Sequence, residues 1–121
     1  MRTPVLAAAL AAILAACAGT ADPGGPPVDE ARVGLVEWDI TASATRLADG
    51  PVSFDVTNAG TTAHDLRIEA DGRQLAATPL LDPGQGATLT VDLVDAERVL
   101  LICAVPGHRK QGMRRQLPVG P

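Results

Sequence analysis

Aromatic residues are almost missing from this chain: one Trp, one Phe and no Tyr in 121 residues. A core without aromatic bulk must be assembled from Val, Leu, Ile and Ala. A domain of this size also buries a smaller share of its surface than a large one, so the margin of stability is modest. Histidine is scarce too, with His64 and His108 alone, which excludes any centre built on clusters of imidazoles. Basic residues do not dominate, with 10 against 14 acidic ones and a net charge of −4. Together with the lack of aromatics this argues against nucleic-acid binding, which wants a basic face carrying stacking platforms. No nucleophile is paired with a base, so neither catalysis nor a small-molecule substrate is expected. No apolar run reaches the roughly 20 residues that a spanning helix needs. Amphipathic helices of three or more turns and internal repeats are absent as well. The length allows one domain.

The first segment has a different character. Met1-Arg2-Thr3-Pro4 is followed by an Ala- and Leu-rich run from Val5 to Ala16. One positive charge, a short apolar stretch and small residues form the layout of a secretory leader. The run ends Leu14-Ala15-Ala16-Cys17, which resembles the lipobox of bacterial lipoproteins. That resemblance implies a leader over 1–16, a diacylated Cys17, and a protein exported and anchored by lipid at the cell envelope. An ordinary leader would instead leave Cys17 free to pair with Cys103. If Cys17 carries lipid, Cys103 is an unpaired thiol in an oxidising compartment, which calls for something to hold it. Residues 17–31 include Asp22-Pro23-Gly24-Gly25-Pro26-Pro27 and read as a flexible tether, since Pro and Gly at this density support neither helix nor central strand.

From 32 to 121 the pattern is strands and turns. Val33 to Ile40 reads as a first strand. Val52, Phe54 and Val56 alternate with polar residues, as do His64, Leu66 and Ile68, and then Ala87, Leu89, Val91 and Leu93. Period two marks half-buried strands. Gln74 to Pro83 reads as an irregular covering loop. Val99 to Ala104 is a nearly continuous apolar strand, and a short last strand runs from about Arg114 to Val119. Short strands with turn signals every ten residues or so indicate an all-β sandwich or barrel. Trp38, in the apolar first strand, is expected in the core.

The chemistry concentrates near the C-terminus, in Cys103-Ala104-Val105-Pro106-Gly107-His108-Arg109-Lys110-Gln111-Gly112-Met113. A thiol, an imidazole and a thioether are each separated from the next by four residues, with Pro106-Gly107 as a tight turn. Thiolate and thioether select soft cations, and two His, one Cys and a weak axial Met are the blue-copper arrangement. Zinc takes Cys and His but rarely Met, so copper is preferred. The second imidazole can come only from His64. It is in phase with Leu66 and Ile68, and Cys103 is in phase with Val99 and Leu101, so both side chains should face the core.

These segments resemble the cupredoxin family, the plastocyanin, auracyanin and rusticyanin kind. The matching pieces are Asn58-x-Gly60-x-x-x-His64-Asp65 and Cys103-x-x-Pro106-Gly107-His108-x-x-x-Gly112-Met113. The four-and-four ligand spacing is most like auracyanin and rusticyanin. The resemblance implies a Greek-key β-sandwich with one copper ion, cycling between Cu(I) and Cu(II), on His64, Cys103, His108 and Met113. It implies a buried His64, a His108 near the surface as the electron port, and support around the ligands from Asn58 and Asp65. Two positions depart from the family habit: Asp65 stands where Asn is common, and Ala104 where a hydroxyl residue is. Around the port the family often exposes an apolar patch, whereas here Arg109, Lys110, Arg114 and Arg115 cluster and could dock an acidic redox protein. A multicopper oxidase would need more histidines than this chain has. Copper delivery or storage is the other functional reading, and a domain that has lost its metal is a third.

Overall fold

Alternating apolar residues need two faces to bury against, and the chain satisfies them with two sheets packed face to face. The computed structural model describes residues 25–121; the leader, Cys17 and the first part of the tether lie outside them. The strands are β1 (Glu30–Val36), β2 (Asp39–Ala42), β3 (Pro51–Asn58), β4 (Arg67–Ala70), β5 (Arg73–Ala77), β6 (Gly86–Asp92), β7 (Arg98–Ile102) and β8 (Arg114–Pro118), with a one-turn helix α1 (His108–Gln111) before the last. One sheet has the order β2-β1-β3-β6 and the other β5-β4-β7-β8. The result is the expected all-β Greek-key sandwich.

The core lies between the sheets. Leu35, Val52, Phe54 and Val56 from the first sheet, and Ile68, Val99 and Leu101 from the second, are fully buried. Strands β4 and β7 are antiparallel, with Arg67 opposite Ile102, and β8 pairs with β7 so that Arg114 is also opposite Ile102. The residues just before β4, just after β7 and just before β8 therefore meet at one end of the sandwich. Those residues include His64, Cys103 and Met113.

Three boundaries differ from the sequence reading. The expected strand from Val33 to Ile40 is two strands: the chain folds back at Glu37-Trp38, and Ile40 pairs with Leu35. No Gly, Pro or Asn marks that turn, and both arms carry buried apolar residues, so the sequence holds no clear sign of the reversal. The expected tether reaches too far. Val28 forms a bridge to Leu47, and Glu30 and Ala31 belong to β1, which runs parallel to β3. Main-chain pairing holds this segment, with Ala31 in the core and Val28 packed against its edge. The expected covering loop contains β5, which pairs with β4. As an edge strand with mostly exposed side chains, β5 leaves no alternation in the sequence.

Candidate metal centre

The residues that bring His64 into place begin at the end of β3. Asn58 is fully buried; its amide nitrogen donates to the carbonyls of Thr62 (2.9 Å) and Leu81 (2.8 Å), and its oxygen accepts from the Gly60 N–H (2.9 Å). The loop from 58 to 64 is thus tied around one side chain. His64 then exchanges two main-chain hydrogen bonds with Leu81, at 3.1 and 2.8 Å, and its ring is fully buried. Asn58 acts on the loop and not on the ring itself.

The other donors arrive on the β7–β8 connection. Cys103 follows β7 directly, is fully buried, and has no disulfide partner among the described residues. Val105 accepts from the His108 N–H at 3.0 Å, closing the turn that carries the second imidazole back toward the thiol. Met113 is fully buried; its N–H donates to the His108 carbonyl (3.1 Å) and its carbonyl accepts from the Cys103 N–H (3.2 Å). One short loop therefore locks Cys103, His108 and Met113 to one another through the backbone.

The side chains converge. The Nδ1 atoms of His64 and His108 are 3.1 Å apart, and Cys103 Sγ is 3.6 Å from His108 Nδ1. All three ligand atoms lie within 4.8 Å of one another. His108 is half-buried, with the exposed Trp38 ring edge-on to it at 4.9 Å between centroids. Burial pushes the Cys103 thiol above its ordinary range, with the nearby Asp65 carboxylate adding to the rise. A metal taking this sulfur as thiolate displaces its proton. On the far side of His64, Nε2 meets Glu37 Oε1 at 2.9 Å. The Thr62 N–H foremost, and then the Thr61 N–H and Thr62 hydroxyl, hold the Glu37 carboxyl down at about 2, against the opposing effect of burial. It is an anion at neutral pH.

Two imidazole nitrogens and a sulfur aimed at one point, with a buried thioether residue tied through the backbone to Cys103 and His108, form a soft, nitrogen-and-sulfur donor set. The residues present fit copper.

No protein-family model matches the sequence, and neither does any curated protein. Solved structures do match. The dithionite-reduced auracyanin from the photosynthetic bacterium Roseiflexus castenholzii superposes with a TM-score of 0.67 at 16% identity, over 79% of this chain and 100% of that one. Auracyanin B gives 0.61 at 21%, over 79% of this chain and 91% of its own. Auracyanin A, described as a "blue" copper protein from Chloroflexus aurantiacus, gives 0.59 at 20%, over 78% and 100%. The chain has a cupredoxin fold.

Within this cupredoxin fold, Asp65 Oδ1 accepts a hydrogen bond of 2.7 Å from the Ala104 N–H. It links the segment before β4 to the residue after the thiol. Asp65→Ala leaves that N–H without its charged acceptor, and urea unfolding of the metal-free protein should show a loss of about 1–3 kcal/mol. Asp65→Asn keeps an acceptor oxygen and should recover most of it; equal losses would show that the carboxylate's contact is not what matters.

The basic residues divide. Arg109, Lys110 and Arg114 line a groove beside Cys103 and Gly107, joined by Arg67 and one acid, Glu69. Arg115 does not line it: its Nε donates to the Ile40 carbonyl, and its guanidinium lies 3.8 Å from Asp39. Trp38 is not a core residue, being 39% exposed over His108. Sequence reasoning missed Glu37 and Arg67. Arg67 alternates outward from His64 and was legible in principle. Glu37 carried no signal, because its role depends on the unmarked turn between β1 and β2.

Proposed function

We propose that this protein is an exported, lipid-anchored electron carrier holding one copper ion on His64, Cys103, His108 and Met113. The observation that carries the reading is the convergence of His64 Nδ1, His108 Nδ1 and Cys103 Sγ within 4.8 Å. The fold shared with the auracyanins supports it, one of which is described as a blue copper protein. The lipobox-like Leu14-Ala15-Ala16-Cys17 supports the anchor. Bound copper supplies reversible one-electron chemistry. The chain's own residues keep the donors still and dry. His64, Cys103 and Met113 are fully buried, and each is fixed by main-chain hydrogen bonds. His108 is the donor nearest solvent, which makes it the port for electrons, and Trp38 covers one side of it.

The test is a titration of the purified metal-free protein with Cu(II), followed by visible absorption. An intense thiolate-to-copper band saturating at one equivalent supports the reading. A colourless protein that binds Cu(I) tightly and hands it to an apo-acceptor would replace it with copper delivery. Binding of neither ion would remove copper altogether.

The cationic groove of Arg67, Arg109, Lys110 and Arg114 lies against the loop that bears the donors. It suits a redox partner with an acidic face, and its main effect would be on encounter rate. Hexacyanoferrate, an anionic one-electron reagent, serves as a probe. The double variant Arg109→Glu/Lys110→Glu should slow electron exchange by about tenfold or more at low ionic strength. The difference should fade as salt screens the charges. Equal rates and equal salt slopes for both proteins would exclude steering by this groove.

A further inference from the structure

We propose that Glu37 is a positioning residue for His64: its carboxylate fixes which imidazole nitrogen faces the metal and, as a negative charge behind the ring, favours Cu(II) over Cu(I). The proposal rests on the copper reading above.

The two nitrogens of the His64 ring meet different groups. Nδ1 points at the donor cluster, 3.1 Å from His108 Nδ1, and Nε2 is 2.9 Å from Glu37 Oε1. A neutral imidazole has one N–H and one lone pair, and the hydrogen bond made by one nitrogen sets the state of the other. A carboxylate accepts only, so the proton belongs on Nε2 and the lone pair on Nδ1. Metal-ligating histidines with a carboxylate on the far nitrogen are held and made more basic in this way.

The carboxylate is itself held. Glu37 Oε1 also accepts from the Thr61 N–H (2.8 Å), the Thr62 N–H (2.8 Å) and the Thr62 hydroxyl (2.9 Å). Swinging away would break all of these contacts, two of them to main-chain donors, along with the contact to His64. Gly60 makes room for the contact. A Cβ at that position would lie 2.6 and 2.8 Å from the Glu37 carboxylate oxygens and 2.8 Å from His64 Nε2. Only a residue without a side chain lets the carboxylate and the ring meet. The next residue of the same turn, Trp38, covers His108, and its carbonyl would be 2.6 Å from a Cβ on Gly112. The β1–β2 turn thus bears on both imidazoles, with Glu37 as its charged member. Cu(II) carries one more positive charge than Cu(I), so a fixed anion one imidazole away stabilises the oxidised state more.

Glu37→Gln keeps an acceptor oxygen and removes the charge. In the copper-loaded protein it should shift the equilibrium with a one-electron reference couple about tenfold toward the reduced form, ~59 mV for a single electron. Glu97→Gln, which removes an exposed carboxylate from the loop before β7, should leave that equilibrium in place. A Glu37→Gln shift no larger than that of Glu97→Gln would overturn the electrostatic part. The positioning part is read without metal, by ¹⁵N NMR of the histidine rings. His64 should be protonated at Nε2 in the wild type and should lose that preference in Glu37→Ala. A wild-type His64 protonated at Nδ1, or a Glu37→Ala spectrum unchanged from it, would overturn it. Failure of the copper reading appears separately, as a wild-type protein that gives no thiolate-to-copper band.

Discussion

Cys103→Ser should abolish the thiolate-to-copper band entirely, not merely weaken it. The band needs a sulfur donor bonded to Cu(II), and Cys103 is the one thiol among the described residues, fully buried and 3.6 Å from His108 Nδ1. A serine hydroxyl is a hard oxygen that stays protonated at neutral pH, and soft-donor selection of copper is lost with the sulfur. The fold should survive, because the substitution changes one atom. The Cys103 N–H remains bonded to the Met113 carbonyl in either case. The comparison is a Cu(II) titration of both proteins, with circular dichroism as the check on folding. An intense band persisting in Cys103→Ser would place the thiolate elsewhere, with Cys17 the only other cysteine in the chain.

Phe54→Ala should be the most destabilising truncation in the core. Phe54 is the single phenylalanine of the chain and heads the largest fully buried side chains. It lies on β3, between β1 and β6, with Ala31 and Leu89 as its partners across the two ladders. Ala31 is small, so the ring fills volume that its neighbours cannot. Removing a buried phenyl group costs about 3–5 kcal/mol, from lost transfer energy and the cavity left behind. Domains of this size are stable by about 5–15 kcal/mol, so the loss takes a large part of the whole. In thermal unfolding of the metal-free protein that corresponds to a fall in Tm of roughly 12–40 °C. Copper, held by donors that only the folded chain brings together, should recover part of it. A fall of less than about 5 °C would contradict a core that depends on its one phenylalanine.

The donor set was legible because two independent signals coincide at it. Period two places His64 with Leu66 and Ile68, and Cys103 with Val99 and Leu101; all six are fully buried. The loop spacing from Cys103 through His108 to Met113 is a local property, closed by main-chain hydrogen bonds within the loop itself. The Asp65 contact with Ala104 was likewise open to inference, since each residue follows a ligand at the adjoining ends of two antiparallel strands, β4 and β7. What escaped depends on the chain turning where no residue type requires a turn. Glu37-Trp38 interrupts an apolar run with neither glycine nor proline, so Trp38 reads as core and Glu37 as a stray charge. Once β2 folds back on β1, the same two residues stand over His64 and His108. The start of β1 and the edge strand β5 were hidden for a different reason: main-chain pairing holds them, and such pairing leaves little trace in side-chain pattern.

Electron transfer at this site should be visible in voltammetry of the copper-loaded protein. The expected result is a reversible one-electron wave, with the same midpoint on repeated cycles and copper retained in both states. An irreversible wave, or copper released on reduction, would rule out an electron carrier.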